Sequence, residues 1–251
     1  MKKRLVIGDI HGKYNVVTDI YRKENPDAVI LLGDYCDGFD KTSKDILTCW
    51  NSLQKLKKEH NERNENNGDF IMLLGNHDWH YISPMEQYSG FTHSTLAVMH
   101  DILVYSFTKK ELHVAYADII NRTIYAHAGV TNTWLSEWSS PPIDLLDDVN
   151  CKALDFSMYN TDMYGNSKWQ GPLWVRPEAL LSDMYSDENG TWKQIVGHTH
   201  TEKPLFANKL GNNVNNIDDA DLVVIDTLPR YYLIEEIDDN GIIVNRDICH
   251  L

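Results

Sequence analysis

Five short blocks of this sequence set glycine beside side chains that can hold a divalent cation. They are Gly8-Asp9-Ile10-His11-Gly12, Gly33-Asp34-Tyr35-Cys36-Asp37-Gly38, Gly75-Asn76-His77-Asp78, His127-Ala128-Gly129 and Gly197-His198-Thr199-His200. Carboxylates, imidazoles and one amide form a mixed oxygen and nitrogen donor set. That chemistry suits manganese, iron or zinc rather than a thiolate site. The glycines let a chain leaving a strand turn sharply and come close to a ligand. One Asp-x-His alone reads as a capped turn with a surface histidine; five such blocks in order do not.

Three blocks follow short apolar runs, Arg4–Ile7, Ala28–Leu32 and Phe70–Leu74. Runs this short and continuously apolar predict strands covered on both faces, as in a parallel sheet, with polar side chains presented at the strand ends where open α/β sheets bind ligands. Helices are predicted over Tyr14–Lys23 and Ser43–His60, the second from Ile46, Leu47, Trp50, Leu53 and Leu56 at helical spacing. Asn61–Asp69, with Asn67-Gly68, reads as a loop, and Ser83–Met99 as helical without a strong pattern. Strands are predicted at Leu112–Ile119, Thr123–Ala126, Gln194–Val196, Leu222–Ile225, Tyr231–Glu235 and Ile242–Val244, with Asn240-Gly241 as a hairpin turn. The tryptophan-rich stretch of about residues 130–190 is too long for a plain connection and is expected to form a helical insertion that walls the site.

Asp and Glu number 37 against 23 Lys and Arg, a formal net charge of −14, which repels long nucleic acids. The only dense basic run, Lys55–Lys58, is diluted by Glu59, Glu62 and Glu65. No apolar stretch is long enough to span a bilayer, and Leu5–Ile7 is too short for a signal-peptide core, so a cytoplasmic location and no membrane partner are expected. Four cysteines, at 36, 49, 151 and 249, contain no C-x-x-C pair and read as reduced thiols, Cys36 as a small apolar filler. His80, His93, His100 and His113 lack partner spacing and read as surface or core-edge residues.

Taken together the five blocks resemble the calcineurin-like metallophosphoesterases, and more narrowly their bacterial and phage phosphoprotein-phosphatase-like branch, from Gly8 to about Thr201. The resemblance implies an α/β fold with a central β-sandwich flanked by helices, one domain over residues 1–251 carrying the helical insertion. It also implies two divalent ions, manganese first, with iron, zinc or nickel as alternatives. Asp9, His11 and Asp34 would hold the first ion. Asp34 would bridge to the second, which also takes Asn76, His127 and His198. Hydrolysis would then proceed by a metal-bound hydroxide, with His77 protonating the leaving oxygen and Asp37 orienting His77.

The chain also departs from that branch. Protein phosphatases of this type carry arginine directly after the position of Asp37, whereas here Gly38 stands there, followed by Phe39-Asp40-Lys41. Arg176, in Trp174-Val175-Arg176-Pro177, is the expected substitute contact to substrate phosphate, against a reading as a surface salt bridge. His200 is expected as a further metal ligand, because alternating residues on a strand end point the same way, against an outer-shell role. The expected substrate is a phosphorylated protein or a small phosphate ester. A pyrophosphohydrolase of the diadenosine tetraphosphate hydrolase type is the alternative, suggested by Gly75-Asn76-His77-Asp78 and by Trp134 after His127-Ala128-Gly129. An inactive metal-binding scaffold fits poorly, since every ligand the resemblance implies is present.

Overall fold

The structure, a computed structural model, describes residues 1–38, 41–65, 69–84, 87, 89–136, 164–227 and 229–251. It is a mixed α/β fold built on two five-stranded sheets flanked by helices.

The first sheet contains β1 (Lys2–Ile7), β2 (Ala28–Leu31), β3 (Phe70–Met72), and two strands from the far end of the chain, β11 (Tyr231–Ile237) and β12 (Ile243–His250), in the order β12-β11-β1-β2-β3. β1, β2 and β3 are parallel, while β11 and β12 run antiparallel. The second sheet is arranged differently. It comprises β4 (Ala115–Asp118), β5 (Thr123–Ala126), β8 (Lys193–Val196), β9 (Leu205–Ala207) and β10 (Leu222–Val224), in the order β4-β5-β8-β10-β9. Its three middle strands are parallel and its two edges antiparallel. A small hairpin, β6 (Ser186–Asp187) and β7 (Gly190–Thr191), stands apart.

The unbroken apolar runs have a direct cause. Successive strand residues face opposite sides. Leu5, Ile7, Val29 and Leu31 pack with Val17 and Ile20 of α1 (Tyr14–Glu24) and Ile46, Trp50 and Leu53 of α2 (Ser43–Arg63). Val6, Ile30 and Leu32 face the second sheet instead, meeting Tyr125, Ile195, Val223 and Ile225. Both faces are thus out of water, and an alternating pattern never arises. α2 starts at Thr42, whose side chain and that of Asp45 cap one another's backbone N–H groups.

Some expectations require correction. α2 continues to Arg63, so the loop predicted from Asn61 begins later, and Asn67-Gly68 lies outside the described residues. In the weakly patterned Ser83–Met99 segment, His93–Thr95 form a 3-10 turn and Leu96–Met99 open α4 (Leu96–Thr108), so its end is helical as expected. The other described residues are turn and loop after α3 (Asn76–Ile82), and residues 85, 86 and 88 lie outside the described residues. β12 is much longer than Ile242–Val244: Asn245, Arg246 and Asp247 lie on an edge strand whose partly exposed positions tolerate polar residues. β9 and the β6–β7 hairpin carry no signal strong enough to predict. The middle of the expected insertion, residues 137–163 with Trp138 and Cys151, lies outside the described residues. Its described flanks form short helices at Asn132–Ser136 (α5), Gly171–Trp174 and Pro177–Leu181. Cys36 and Cys49 are buried free thiols, and Cys36 belongs to the apolar core as expected. Among the described residues no helix is long and apolar enough to cross a membrane.

Candidate active site

The two sheets present their parallel strand ends to one place. After β1, β2 and β3 come Asp9, Asp34 and Asn76; after β5, β8 and β10 come His127, His198 and Asp226. All six are buried. The turns that aim them are tight. His11, Asp34, Asp37 and His198 all have positive φ, between 44° and 61°, a region that costs a side-chain-bearing residue about 1–3 kcal/mol and that clusters at functional sites. Two glycines allow the contact between sheets and loops. A Cβ on Gly75 would lie 2.1 Å from Asp34 Oδ1, and one on Gly197 would lie 2.1 Å from Asp9 Oδ1.

Asp78 fastens two of these loops together. Its carboxylate accepts backbone N–H bonds from Asp34 (2.8 Å), Tyr35 (2.9 Å), Cys36 (3.1 Å) and Gly75 (3.0 Å). Burial nevertheless pushes its carboxyl up to about 6. It is an internal brace of the loops rather than a group facing a ligand, a role the motif alone does not disclose.

At the centre, Asp34 Oδ2 lies 3.5 Å from His11 Nε2 and 3.6 Å from His127 Nε2, while its other oxygen accepts the His77 backbone N–H at 2.9 Å. Asp9 Oδ2 is 4.0 Å from His11 Nε2, and Asp9 Oδ1 is 3.9 Å from His127 Nδ1. Asp9, Asp34 and His127 can thus converge on one ion, each offering a ligand atom.

The electrostatics ask for cations. Burial, reinforced by neighbouring carboxylates, holds Asp9 and Asp34 well above the ordinary carboxyl range. Burial likewise lowers the imidazoles, His11 to about 4, His127 to about 3 and His198 well below its usual value, so they are neutral at pH 7. A neutral imidazole has one N–H. His127 gives its proton from Nδ1 to the Leu32 carbonyl at 2.9 Å, and His198 gives its proton from Nε2 to the Trp174 carbonyl at 3.2 Å. Their remaining lone pairs, on His127 Nε2 and His198 Nδ1, face Asn76 Oδ1 at 2.8 and 3.1 Å. Three lone pairs aimed at one another repel until a cation sits among them. The residues present therefore fit a metal centre, with backbone carbonyls fixing each tautomer.

Beside the centre, His77 Nδ1 is 3.3 Å from Asp37 Oδ2, and the His77 and His11 rings meet edge to face at 5.2 Å. His200 stands further out. Its side chain is half exposed, with Nδ1 3.8 Å from Asp226 Oδ1. Arg176 Nη1 donates to the His198 carbonyl (3.1 Å) and to Thr199 Oγ1 (3.2 Å), so the arginine is tied to the loop that carries His198. At Gly38 the space an arginine would enter is crossed by Lys41, whose Cγ would lie 2.7 Å from an added Cβ.

Two residues near the chemistry escaped the sequence reading. Asp226 sits in a stretch with no flanking glycine and reaches the site only because β10 lies beside β8. His80, expected at a surface or core edge, is instead fully buried with Nε2 2.6 Å from Asp37 Oδ2. The signal that could have found it is its spacing, one helical turn beyond His77.

The comparisons with known proteins agree with this geometry. The family model for calcineurin-like phosphoesterases matches residues 2–225. No curated protein matches the chain in sequence. Among solved structures, a cold-active protein-tyrosine phosphatase of a psychrophilic Shewanella species is similar at a TM-score of 0.63 and 16% identity, covering 99% of this chain and 80% of that one. A protein serine/threonine phosphatase from Saccharomyces cerevisiae, with similarity to human phosphatase PP5, matches at a TM-score of 0.57 and 14% identity, covering 100% and 80%. At these identities the two structures speak for the fold, while the family match spans nearly the whole chain. With two sheets delivering buried carboxylates and neutral imidazoles to one cation-demanding centre, this chain belongs to the calcineurin-like phosphoesterases and is a metal-dependent hydrolase.

Proposed function

We propose that the chain is a phosphomonoesterase acting on phosphorylated protein side chains or small phosphate esters. The observation that carries the reading is Asp34 Oδ2, set almost equally far from His11 and His127, the geometry expected of a carboxylate shared between two cation sites. Asp9, His11 and Asp34 would hold one ion, and Asp34, Asn76, His127 and His198 the other, with manganese the first choice for this oxygen and nitrogen set. Two such ions supply charge neutralisation, polarisation of the phosphate and activation of a water.

The protein's own residues account for the remaining steps. Asp37 faces His77 Nδ1, which leaves His77 Nε2 as the atom that hands a proton to the leaving oxygen. Arg176, held by the His198 loop, has guanidinium N–H groups enough to bind a non-attacked phosphate oxygen beyond the two bonds made by Nη1. His200 would serve at the rim of the centre through Asp226.

The dinucleotide alternative is suggested by the Gly75-Asn76-His77-Asp78 block, with Asp78 where glutamate is more usual, and by Trp134 after His127-Ala128-Gly129. Asp78 is occupied with four backbone N–H groups, and Trp134 is only 5% exposed, with its indole pressed on Gly171. Neither is placed to receive an adenine, which favours the monoester reading. The similar structures, both protein phosphatases by description, lean the same way. Turnover of p-nitrophenyl phosphate, a phosphopeptide and diadenosine tetraphosphate with added manganese tests it. Faster hydrolysis of the dinucleotide than of both monoesters would overturn the proposal.

A further inference from the structure

Asp37, next to the reacting centre, is held by three side chains. His77 Nδ1 and His80 Nε2 both approach its Oδ2, at 3.3 and 2.6 Å, while the Tyr81 hydroxyl donates to Oδ1 at 2.7 Å and itself accepts the Thr92 N–H at 3.0 Å. His80 is fully buried. Its ring is boxed edge to face by His77 (5.6 Å), Tyr81 (4.7 Å) and Phe91 (4.9 Å), the last stacked on Tyr81. A carboxylate only accepts, so the nitrogen of His80 that meets it carries the proton. Asp37 itself has a φ of 60°, a conformation that the surroundings must enforce.

We infer that His80 is a positioning residue: with Tyr81 it fixes the plane and rotamer of Asp37, and through Asp37 it aims the His77 ring at the leaving-group oxygen. The close approach of His77 and His80 to Oδ2, with the Tyr81 hydroxyl on Oδ1, holds the carboxylate in one orientation. Among the described residues, that carboxylate is the partner given for His77 Nδ1. Without His80, Oδ2 can rotate away, and His77 keeps its carboxylate partner only part of the time. The proton involved passes from His77 Nε2 to the departing oxygen, and water returns one to the imidazole. His80 neither gains nor loses a proton in the cycle. This inference rests on the reading of His77 as the acid.

The experiment compares phenyl phosphate, a poor leaving group, with p-nitrophenyl phosphate, a good one, on the manganese-loaded full-length protein. His80→Asn should lower kcat on phenyl phosphate by about 10–100-fold, as for loss of an outer-shell partner. The drop should be only a few-fold on p-nitrophenyl phosphate, with KM and bound metal unchanged. His80→Gln, whose amide nitrogen can stand near the imidazole Nε2, should recover most of the loss. In a His77→Asn background, His80→Asn should cost nothing further, because the two act in series. Equal losses on both substrates, a full multiplicative loss in the double variant, or loss of bound metal from His80→Asn would each overturn the inference. In the last case, Asp37, His77 and His80 would be a cation site in their own right. If His77→Asn alone shows no leaving-group dependence, the acid reading fails and this inference falls with it. If it shows that dependence and His80→Asn does not, only the inference falls.

Discussion

β1 has a buried charge cluster at each end, and the two are built on opposite principles. Near its start, Arg4 Nη1 bonds Asp118 (2.9 Å), Tyr125 (3.0 Å) and Glu235 (3.2 Å). Glu235 also accepts from Tyr125 at 2.6 Å and from Arg246 at 2.9 Å. Two guanidinium groups meet two carboxylates, and the cluster ties both sheets together as a neutral unit. Beyond the other end, about 16 Å away at strand rise per residue, Asp9 and Asp34 are met by backbone N–H groups and by imidazoles that burial keeps neutral, with no guanidinium or ammonium bonded to either among the described residues. The first cluster is complete without help; the second is complete only with added cations. Burying charge is tolerated where partners come with the fold, and a buried cluster that lacks them marks a place kept for a ligand.

The contrast can be broken most severely at Asp34. Asp34→Asn should remove one oxygen charge shared by both ion sites and reduce turnover by more than the ~100-fold typical of an outer-shell change. Bound metal, measured by elemental analysis, should fall with it. Normal occupancy and turnover would contradict the shared role.

At the other end, Arg4→Met should leave catalysis of the folded protein nearly intact but destabilise it by about 3–5 kcal/mol, the cost of stranding buried carboxylates. Denaturant unfolding of the metal-free protein would measure it, and a loss under 1 kcal/mol would mean that Arg246 alone balances the cluster.

A smaller effect is expected at Arg176, the one arginine joined to the His198 loop. Arg176→Ala should lower kcat/KM by about 10- to 150-fold, a charged hydrogen bond of ~1.5–3 kcal/mol. Arg176→Lys should regain only part of it. Wild-type kinetics for Arg176→Ala would leave phosphate to the ions and backbone.

The gentlest test uses pH. A carboxyl raised in the fold imposes no penalty below its ordinary value near 3.8, and the penalty grows as pH climbs through the native value. Metal-free Asp34→Asn should therefore match metal-free wild type in stability at pH 3.5 and become progressively more stable than it as pH rises toward 7. The gap should amount to about 1.4 kcal/mol for each unit by which the native carboxyl is raised. A gap that closes with rising pH would contradict the burial argument.

Much of this was legible in the sequence. The glycine-flanked blocks are local, and Asp9, Asp34, Asn76, His127 and His198 all lie at the strand ends where their flanking apolar runs placed them. What could not be read is what depends on neighbours far away in the chain. Asp226 belongs to the site because β10 pairs with β8, a fact absent from its own surroundings. Arg4, Asp118 and Glu235 lie in three strands drawn from both sheets, and no spacing links them. His80 is a different case, since its helical spacing from His77 was visible. It was read as surface or core edge because no partner spacing was seen for it, and the aromatic box of Tyr81 and Phe91 that closes over it forms only in the fold.

β1 lies between β2, made shortly after it, and β11, made nearly a whole chain later. On a ribosome β1 would therefore spend most of synthesis with one hydrogen-bonding edge open. Asp118 would be waiting, and Glu235 would still be untranslated. The cation centre cannot be finished early, because its last buried carboxylate, Asp226, also arrives near the end. The set of groups gathered around the centre is therefore complete only when synthesis is nearly finished.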